Sequence, residues 1–475
     1  MSTTGTSEMD IKSEIDHIFE LQKAHRFVVA RTTAKERREK LERLKKALFR
    51  YQQDIRDAMY ADFRKHQMEV DLTELFTVKD EINYAKRNLA QWMRPVHVGK
   101  SLLIAGSHSF IVYEPKGLGL ILSSWNFPIL LTFGPLVSAI AAGNCVILKP
   151  SELVPHTTAV MKKMVEELFP KEEIYLMEGD QHVAQALLEK PFNHIYFVGS
   201  SKVGRQVMRA ASKHLTSVTL EMGGKSPCVV DESANIATAA NRIAWGKFIN
   251  NGQTCVAPDH LWVHEDVATS FLAALKKEIR HFYGASAGES PDYARVVHER
   301  HYLRLKGYLE EALEKGATLE YGGELNPSDH YIGPTILRDV PSDSRIMQEE
   351  IFGPILPFRT FKTLDEPIEY LRERPYPLSL YIYSRKNANI RKLVKETRAG
   401  TTAINENVVQ FFQIRFPFGG FNESGIGKGH GHAGFLEFSN SRAVFRQGWP
   451  DLIPLITPPY TRLRKRLAEF ILRWL

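Results

Sequence analysis

The sequence predicts an α/β protein built on a mostly parallel sheet covered by helices on both faces, and three observations carry this. Between Lys116 and Lys149 no charged residue occurs, yet Gly117, Gly119, Asn126, Pro128, Gly134, Pro135, Gly143 and Asn144 cut the stretch into short pieces. None of these reaches the roughly 20 apolar residues that a bilayer-spanning helix needs. Strand-like and helix-like pieces then alternate as far as residue 213, which favours parallel pairing. The composition, 43% hydrophobic, 25% charged and 10% aromatic over 475 residues, is that of an ordinary globular chain. It excludes collagenous, coiled-coil and mostly disordered proteins and leaves room for two or three domains.

Taken in order, residues 11–95 are rich in Lys, Arg, Glu and Leu at helical spacing, most plainly over 36–48, and predict a helical lead with a solvated charged face. Residues 97–113 lose that spacing, and the alternation through Ser109, Phe110, Ile111, Val112 and Tyr113 predicts extended arms or a hairpin. A buried strand over 118–122, a loop over 123–128, a helix at about 130–142 and a second buried strand over 145–148 make a β-α-β unit. The pattern repeats with a helix over 157–168, a short strand over 174–177, a helix over 181–188, a strand over 194–198 and a helix through 205–213. Ligands in such folds sit at the carboxyl ends of the strands.

The net charge is +7, but Arg462, Arg464, Lys465, Arg466 and Arg473 against Glu469 place more than half of it in residues 461–475. A general nucleic-acid face is therefore not expected. Cys145, Cys228 and Cys255 are too few and too widely spaced for a disulfide framework or a paired-cysteine metal or redox motif, so no metal is expected and a reducing compartment fits. The N-terminal stretch carries acidic residues and no basic-then-apolar run, which predicts a cytoplasmic protein.

Several strand ends carry polar residues that need a reason. Asn126, in Ser124-Trp125-Asn126-Phe127-Pro128, is an uncharged donor that suits an oxyanion site, although taken alone it reads as readily as a cap for the following helix. Lys149 and Glu152 could meet ribose hydroxyls or form a plain solvent-facing turn. Gly199, Ser200 and Gly204 open a helix after a strand, where backbone amides can approach a pyrophosphate; their spacing departs from GxGxxG, and a structural turn is the alternative. Glu221, ahead of Gly223 and Gly224, is either a general base raised by an apolar setting or a surface ion-pairing residue. Cys145 and Cys228 lie among apolar residues and fit inert core thiols, whereas Cys255 follows Asn250-Asn251-Gly252-Gln253-Thr254, polar neighbours that suit a reachable thiol.

Together these residues resemble the NAD(P)-dependent aldehyde dehydrogenase superfamily over roughly residues 20–450. The motifs are WNFP at 125–128, KPSE at 149–152, GSSKVG at 199–204, LEMGGKSP at 220–227, NGQTC at 251–255, EEIFGP at 349–354 and PFGG at 417–420. The short lead, with His430-Gly431-His432-Ala433-Gly434-Phe435 and Phe438-Ser439-Asn440-Ser441-Arg442, is similar to the class 3 and fatty aldehyde dehydrogenase branch. The resemblance implies a Rossmann-type cofactor domain (1–96 and 114–216), an α/β catalytic domain (217–400), bridging segments and a small β oligomerisation arm (97–113 and 401–450), and a basic tail (451–475). It implies Cys255 as nucleophile, Glu221 as general base and Asn126 as oxyanion donor. Trp125, Lys149, Glu152, Gly199, Ser200, Gly204, Glu350 and Phe352 would surround NAD or NADP.

The implied reaction oxidises an aldehyde to its acid through a cysteine thiohemiacetal and a thioester. Alternatives are transfer of the acyl group to coenzyme A, or a silent membrane-associated scaffold; intact Cys255, Glu221 and Asn126 argue against the scaffold, and Glu221 favours hydrolysis. Asn422 stands where relatives commonly have glycine, which would reshape the substrate mouth, and Phe411 and Phe412 are expected to line a tunnel for a medium or long aliphatic or aromatic aldehyde. In the tail, Leu463, Leu467, Phe470, Ile471 and Trp474 recur at helical spacing among basic residues. That pattern fits either a peripheral anchor on anionic lipid or a helix docked on the partner of a homodimer.

Overall fold

A computed structural model describes residues 8–99, 104–455 and 457–474. Its first sheet has six strands in the order Gly425–Ile426, Ser217–Met222, His194–Gly199, Leu118–Leu122, Cys145–Lys149, Ile174–Leu176. All neighbours are parallel except the edge pair, where Gly425 faces Glu221 in antiparallel register. Successive side chains on these strands go to opposite faces, as a strand with two covered sides requires. Ile121, Val146, Leu148, Tyr196 and Val198 join one core with the helices Ala34–Arg50, Phe76–Trp92, Pro128–Ala142 and Pro155–Leu168. Leu120, Cys145, Ile147, Ile195 and Phe197 join another with Glu8–Ala30, Gln181–Leu188 and Ser201–Ser212.

Strand order runs outward from Leu118–Leu122 to Ile174–Leu176 and then resumes on the other side at His194–Gly199. The connections after Leu118–Leu122 and His194–Gly199 therefore part company, leaving a crevice at the carboxyl ends of the strands. The loop holding Trp125 and Asn126 and the turn holding Gly199 and Ser200 flank it.

A second, seven-stranded sheet runs Thr318–Tyr321, Thr335–Arg338, Ile355–Phe361, His260–His264, Pro227–Val230, Ser379–Tyr383, Thr401–Ile404, parallel but for the first edge strand. The helices Ile236–Phe248 and Glu265–Tyr283 cover one face, and Asp365–Arg372 and Asn387–Glu396 the other. By pairing, Ser217–Met222 goes with the first sheet and Thr401–Ile404 with the second. A three-stranded antiparallel ribbon, Val96–His97, His108–Pro115 and Ser439–Arg446, stands apart and is largely exposed along its last strand. The expected hairpin is thus present, widened by a strand from the far end of the chain.

The helical lead does more than cover the sheet. Asp71–Leu75 is a single π-helical turn, which turns Glu74 inward, fully buried against an equally buried Lys65 at 2.8 Å. The other Glu74 oxygen accepts the backbone N–H groups of Ile129 and Leu130 at 2.8 and 3.3 Å. These are orphan donors at the start of the helix Pro128–Ala142, and Glu74 caps them from outside the helix, so the alternative reading of Asn126 as the cap is not what the structure shows. The Lys65 ammonium lies 3.9 Å from the Phe127 ring centroid, completing a clamp behind the loop.

Candidate active site

Cys255 is delivered by a braced turn. After Ile236–Phe248 the chain passes through Ile249–Gly252 with Asn250 and Asn251 at φ 52° and 56°, a left-handed region that asparagine tolerates better than other residues bearing a Cβ. The Asn250 Nδ2 donates to the carbonyls of Asn126 at 2.9 Å and Gln253 at 3.2 Å. Gln253 Nε2 donates to the carbonyls of Asn250 and Arg295, and its Oε1 accepts from the Val297 N–H at 3.0 Å. Asn126 Nδ2 donates to the Gln253 carbonyl at 3.1 Å, so the Asn126 loop and the Cys255 turn form one cross-linked unit. The sequence marks Asn250 and Gln253 only as polar neighbours of Cys255; their bracing role depends on carbonyls and N–H groups that the fold brings to them.

The Cys255 side opens into an apolar pocket of about 440 Å³, walled by Phe127, Leu130, Leu131, Val408, Phe411 and Phe412 among others. Desolvation, then the charges of Glu350 and Glu221, push the Cys255 thiol up to about 12, with backbone N–H groups at Cys255 and Val256 pulling the other way. The resting residue is therefore a thiol rather than a thiolate. Cys145 and Cys228 are fully buried in the two sheets, as an inert role requires.

Glu221 is only 6% exposed, which removes the surface ion-pair alternative. It lines a second chamber of about 360 Å³ with Glu81, Ser138, Tyr196 and His430, and this chamber shares Leu130, Leu131 and Phe411 with the Cys255 pocket. Burial raises the Glu221 carboxyl above its ordinary range, partly offset by the His430 charge and by the hydrogen bond from the Tyr196 hydroxyl. Gly429 makes room for this pair: a Cβ there would come within 2.4 Å of both the Glu221 Oε1 and the Tyr196 hydroxyl. Tyr196, Glu81 and His430 were not singled out as site residues, because only the fold brings positions so distant in sequence to one chamber.

Trp125, Lys149, Glu152, Gly199, Ser200 and Gly204 lie at or just beyond strand ends of the first sheet, and Glu350 and Phe352 just before the strand Ile355–Phe361 of the second. Ser200 caps the helix Ser201–Ser212 through the Val203 N–H, with Gly199 before it and Gly204 packed under Met222. Lys149, 5% exposed, lies 3.1 Å from the Glu152 carboxylate at the end of the neighbouring strand. Trp125 packs edge-on against Phe352 at 5.5 Å and near His301 at 5.3 Å. Glu350 borders a cleft of about 710 Å³ with Ser201, Gly223, Gly224 and Lys225. A Cβ at Gly223 would fall 1.8 Å from the Glu350 carboxylate, so glycine lets that carboxylate lie over the strand end, where Gly224 donates to it. Desolvation pushes Glu350 up to about 7. A helix N-terminus, bare glycines and a carboxylate facing the cleft fit a dinucleotide.

Phe411 and Phe412 stand in the Cys255 pocket as expected. Asn422 does not. Its φ of 54° explains why asparagine replaces glycine there, and its loop packs on the cofactor side, with Glu423 bordering the cleft and accepting a hydrogen bond from Ser201.

This geometry has counterparts. The chain is 42% identical over 434 residues to a 4,4'-diaponeurosporen-aldehyde dehydrogenase of Staphylococcus aureus, covering 91% of this chain and 94% of that protein. It is 40% identical over 444 residues to aldehyde dehydrogenase family 3 member B3 of Mus musculus, covering 93% and 91%. A substrate-bound structure of Staphylococcus aureus AldH superposes with a TM-score of 0.92 at 40% identity, over 96% of this chain and 99% of that one. The model of the aldehyde dehydrogenase family matches residues 2–444, and with the thiol, carboxylate, amide and crevice in place the chain belongs to that family.

Proposed function

We propose that Cys255, Asn126 and Glu221 carry out the family's reaction on a medium or long-chain aliphatic or aromatic aldehyde. The chain is an NAD(P)-dependent enzyme that oxidises aldehydes to carboxylic acids. The Cys255 sulfur gives its proton to solvent water and bonds to the aldehyde carbon; the oxygen, now carrying the charge, meets the Asn126 amide and the Cys255 backbone N–H. NAD or NADP, when bound among Trp125, Lys149, Glu152, Gly199, Ser200, Gly204, Glu350 and Phe352, is the hydride acceptor. In the hydrolytic half, Glu221 takes a proton from water as its oxygen bonds to the thioester carbon, and the sulfur leaves with the electron pair and regains a proton.

The observation behind the substrate class is the apolar pocket on Cys255 with Phe411 and Phe412 in its wall. An aldehyde series from acetaldehyde to decanal, run with wild type and Cys255→Ala, is expected to give Cys255-dependent turnover whose kcat/KM rises with chain length. Equal values across the series would refute the tunnel, and turnover by Cys255→Ala would refute the nucleophile. The chamber around Glu221 favours hydrolysis over transfer to coenzyme A.

We propose the domain division at 96/97, 113/114, 216/217, 400/401 and 450/451, with Ser217–Met222 and Thr401–Ile404 attached by pairing to the first and second sheets. The exposed ribbon edge at Ser439–Arg446 suits a homodimer arm. For the tail, the helix Arg462–Trp474 leaves Leu463 77%, Phe470 58% and Leu472 85% exposed beside its arginines, which supports peripheral contact of a cytoplasmic protein with anionic lipid. Among the described residues no helix is long and apolar enough to cross a membrane.

A further inference from the structure

The chamber that holds Glu221 contains a second ionic pair which the reaction as set out above does not use. His430 Nδ1 lies 3.1 Å from Glu81 Oε1, with the two side chains only 9% and 4% exposed. The other Glu81 oxygen accepts the Gly431 N–H at 3.0 Å, so the carboxylate holds the backbone and stands beside the ring, whose Nδ1 makes no well-aligned hydrogen bond. The imidazole is held between Phe411 at 4.8 Å, edge-on at 89°, and Phe418 at 5.1 Å. His430 also sits at φ 66°, a conformation that strains a residue bearing a Cβ and persists where the surroundings enforce it. A merely structural tie between the helix Phe76–Trp92 and this segment would not need an ionisable ring on the wall shared with Glu221.

We propose that His430 and Glu81 are a positioning pair for the hydrolytic half-reaction, presenting a cationic imidazole across the chamber so that the Glu221 carboxyl stands ionised when water enters. This rests on the reading of Glu221 as general base. The ionisable groups facing His430 are Glu81 from Phe76–Trp92, and Glu221 and Tyr196 from the first sheet. Lys428, on the same segment, turns its ammonium to the Gly419 and Gly420 carbonyls, and its charge also favours ionised Glu221. Burial pulls the imidazole down, but the Glu81 and Glu221 carboxylates outweigh it and its pKa lies above the ordinary histidine value. Glu81 repels Glu221 less than His430 attracts it, so the pair as a whole favours the carboxylate.

No atom is transferred to His430. Water gives its proton to Glu221 while its oxygen bonds to the acyl carbon, the C–S bond breaks toward sulfur, and that proton restores the Cys255 thiol. The imidazole contributes charge alone.

The test separates the two half-reactions. With a good aldehyde and excess cofactor, rapid mixing reads the burst of reduced cofactor, which reports acyl-enzyme formation, and the steady state reads hydrolysis. For His430→Gln the burst is expected to persist while the acid limb of the steady-state profile moves up by about one pH unit, so that steady-state turnover on the acid side of the limb falls about tenfold. His430→Arg, which keeps a cation, is expected to return the limb toward wild type. Glu81→Gln keeps an acceptor for Gly431 but removes the partner of the ring; its limb shifts the same way by less, since repulsion of Glu221 is lost too. If His430→Gln does not fold, Glu81→Gln carries the test. Burst and steady state falling together at every pH, with no movement of the limb in either variant, would overturn the proposal and leave a structural tie. Glu221→Gln is the control for the underlying reading: if it hydrolyses acyl-enzyme normally, Glu221 is not the base, and the failure lies there.

Discussion

Glu221 shows how much of this site is a matter of single atoms. Its carboxyl is buried, receives the Tyr196 hydroxyl and is allowed its place by the missing side chain of Gly429. Gly429→Ala is therefore expected to leave a folded protein whose steady-state turnover drops at least tenfold while aldehyde addition at Cys255 survives, which burst kinetics would reveal. Asn126→Ala removes an oxyanion donor and is expected to cost about 100-fold in kcat, with little change in KM. Because burial raises Glu221, its base form is lost as pH falls at a higher pH than an ordinary carboxylate, and Glu221→Gln should abolish that limb of the profile along with most hydrolysis.

The helical lead matters through one turn. Asp71–Leu75 points Glu74 at the start of Pro128–Ala142, and Lys65 neutralises it in a fully dry setting. Glu74→Ala would strand the Lys65 ammonium and orphan two backbone donors, so thermal unfolding should report a loss of about 3 to 5 kcal/mol. Lys65→Met with Glu74→Leu should recover a large part of it. The strands and helices from 118 to 213 were legible because each strand is mostly apolar and each break carries glycine, proline or asparagine, which is local information. The helix expected from about 130 begins instead at Pro128, and the strand expected to end at 148 reaches Lys149. For the first, Pro128 at the opening helical position is a local start signal, whereas the capping of Ile129 and Leu130 by Glu74, more than fifty positions away, lies in no window along the sequence. The Cys255 turn was half legible for the same reason. Its thiol and glycine could be read, whereas the bracing by Asn250 and Gln253 depends on the Asn126, Arg295 and Val297 backbone.

At the scale of the molecule, two sheets meet around the thiol, and the tail lies outside both. Deleting the chain from Thr461 onward is expected to leave kcat for short aldehydes unchanged and to abolish flotation with phosphatidylserine vesicles, and equal flotation of the full and shortened chains would exclude lipid contact through this helix. The recognition motifs were readable because they are contiguous; the shape of the two adjoining chambers was not, since their walls are drawn from helices, strands and loops far apart in the chain. The grip of Glu81 on the Gly431 backbone joins positions 350 apart, and Glu69 meets the Asn250 N–H across 181. A ribosome must therefore release almost the whole polypeptide before the Glu221 chamber can close. Until then the Cys255 turn has the wall of Phe127, Leu130 and Leu131 but lacks Val408, Phe411 and Phe412, so the centre of the enzyme is among the last parts to be completed during synthesis.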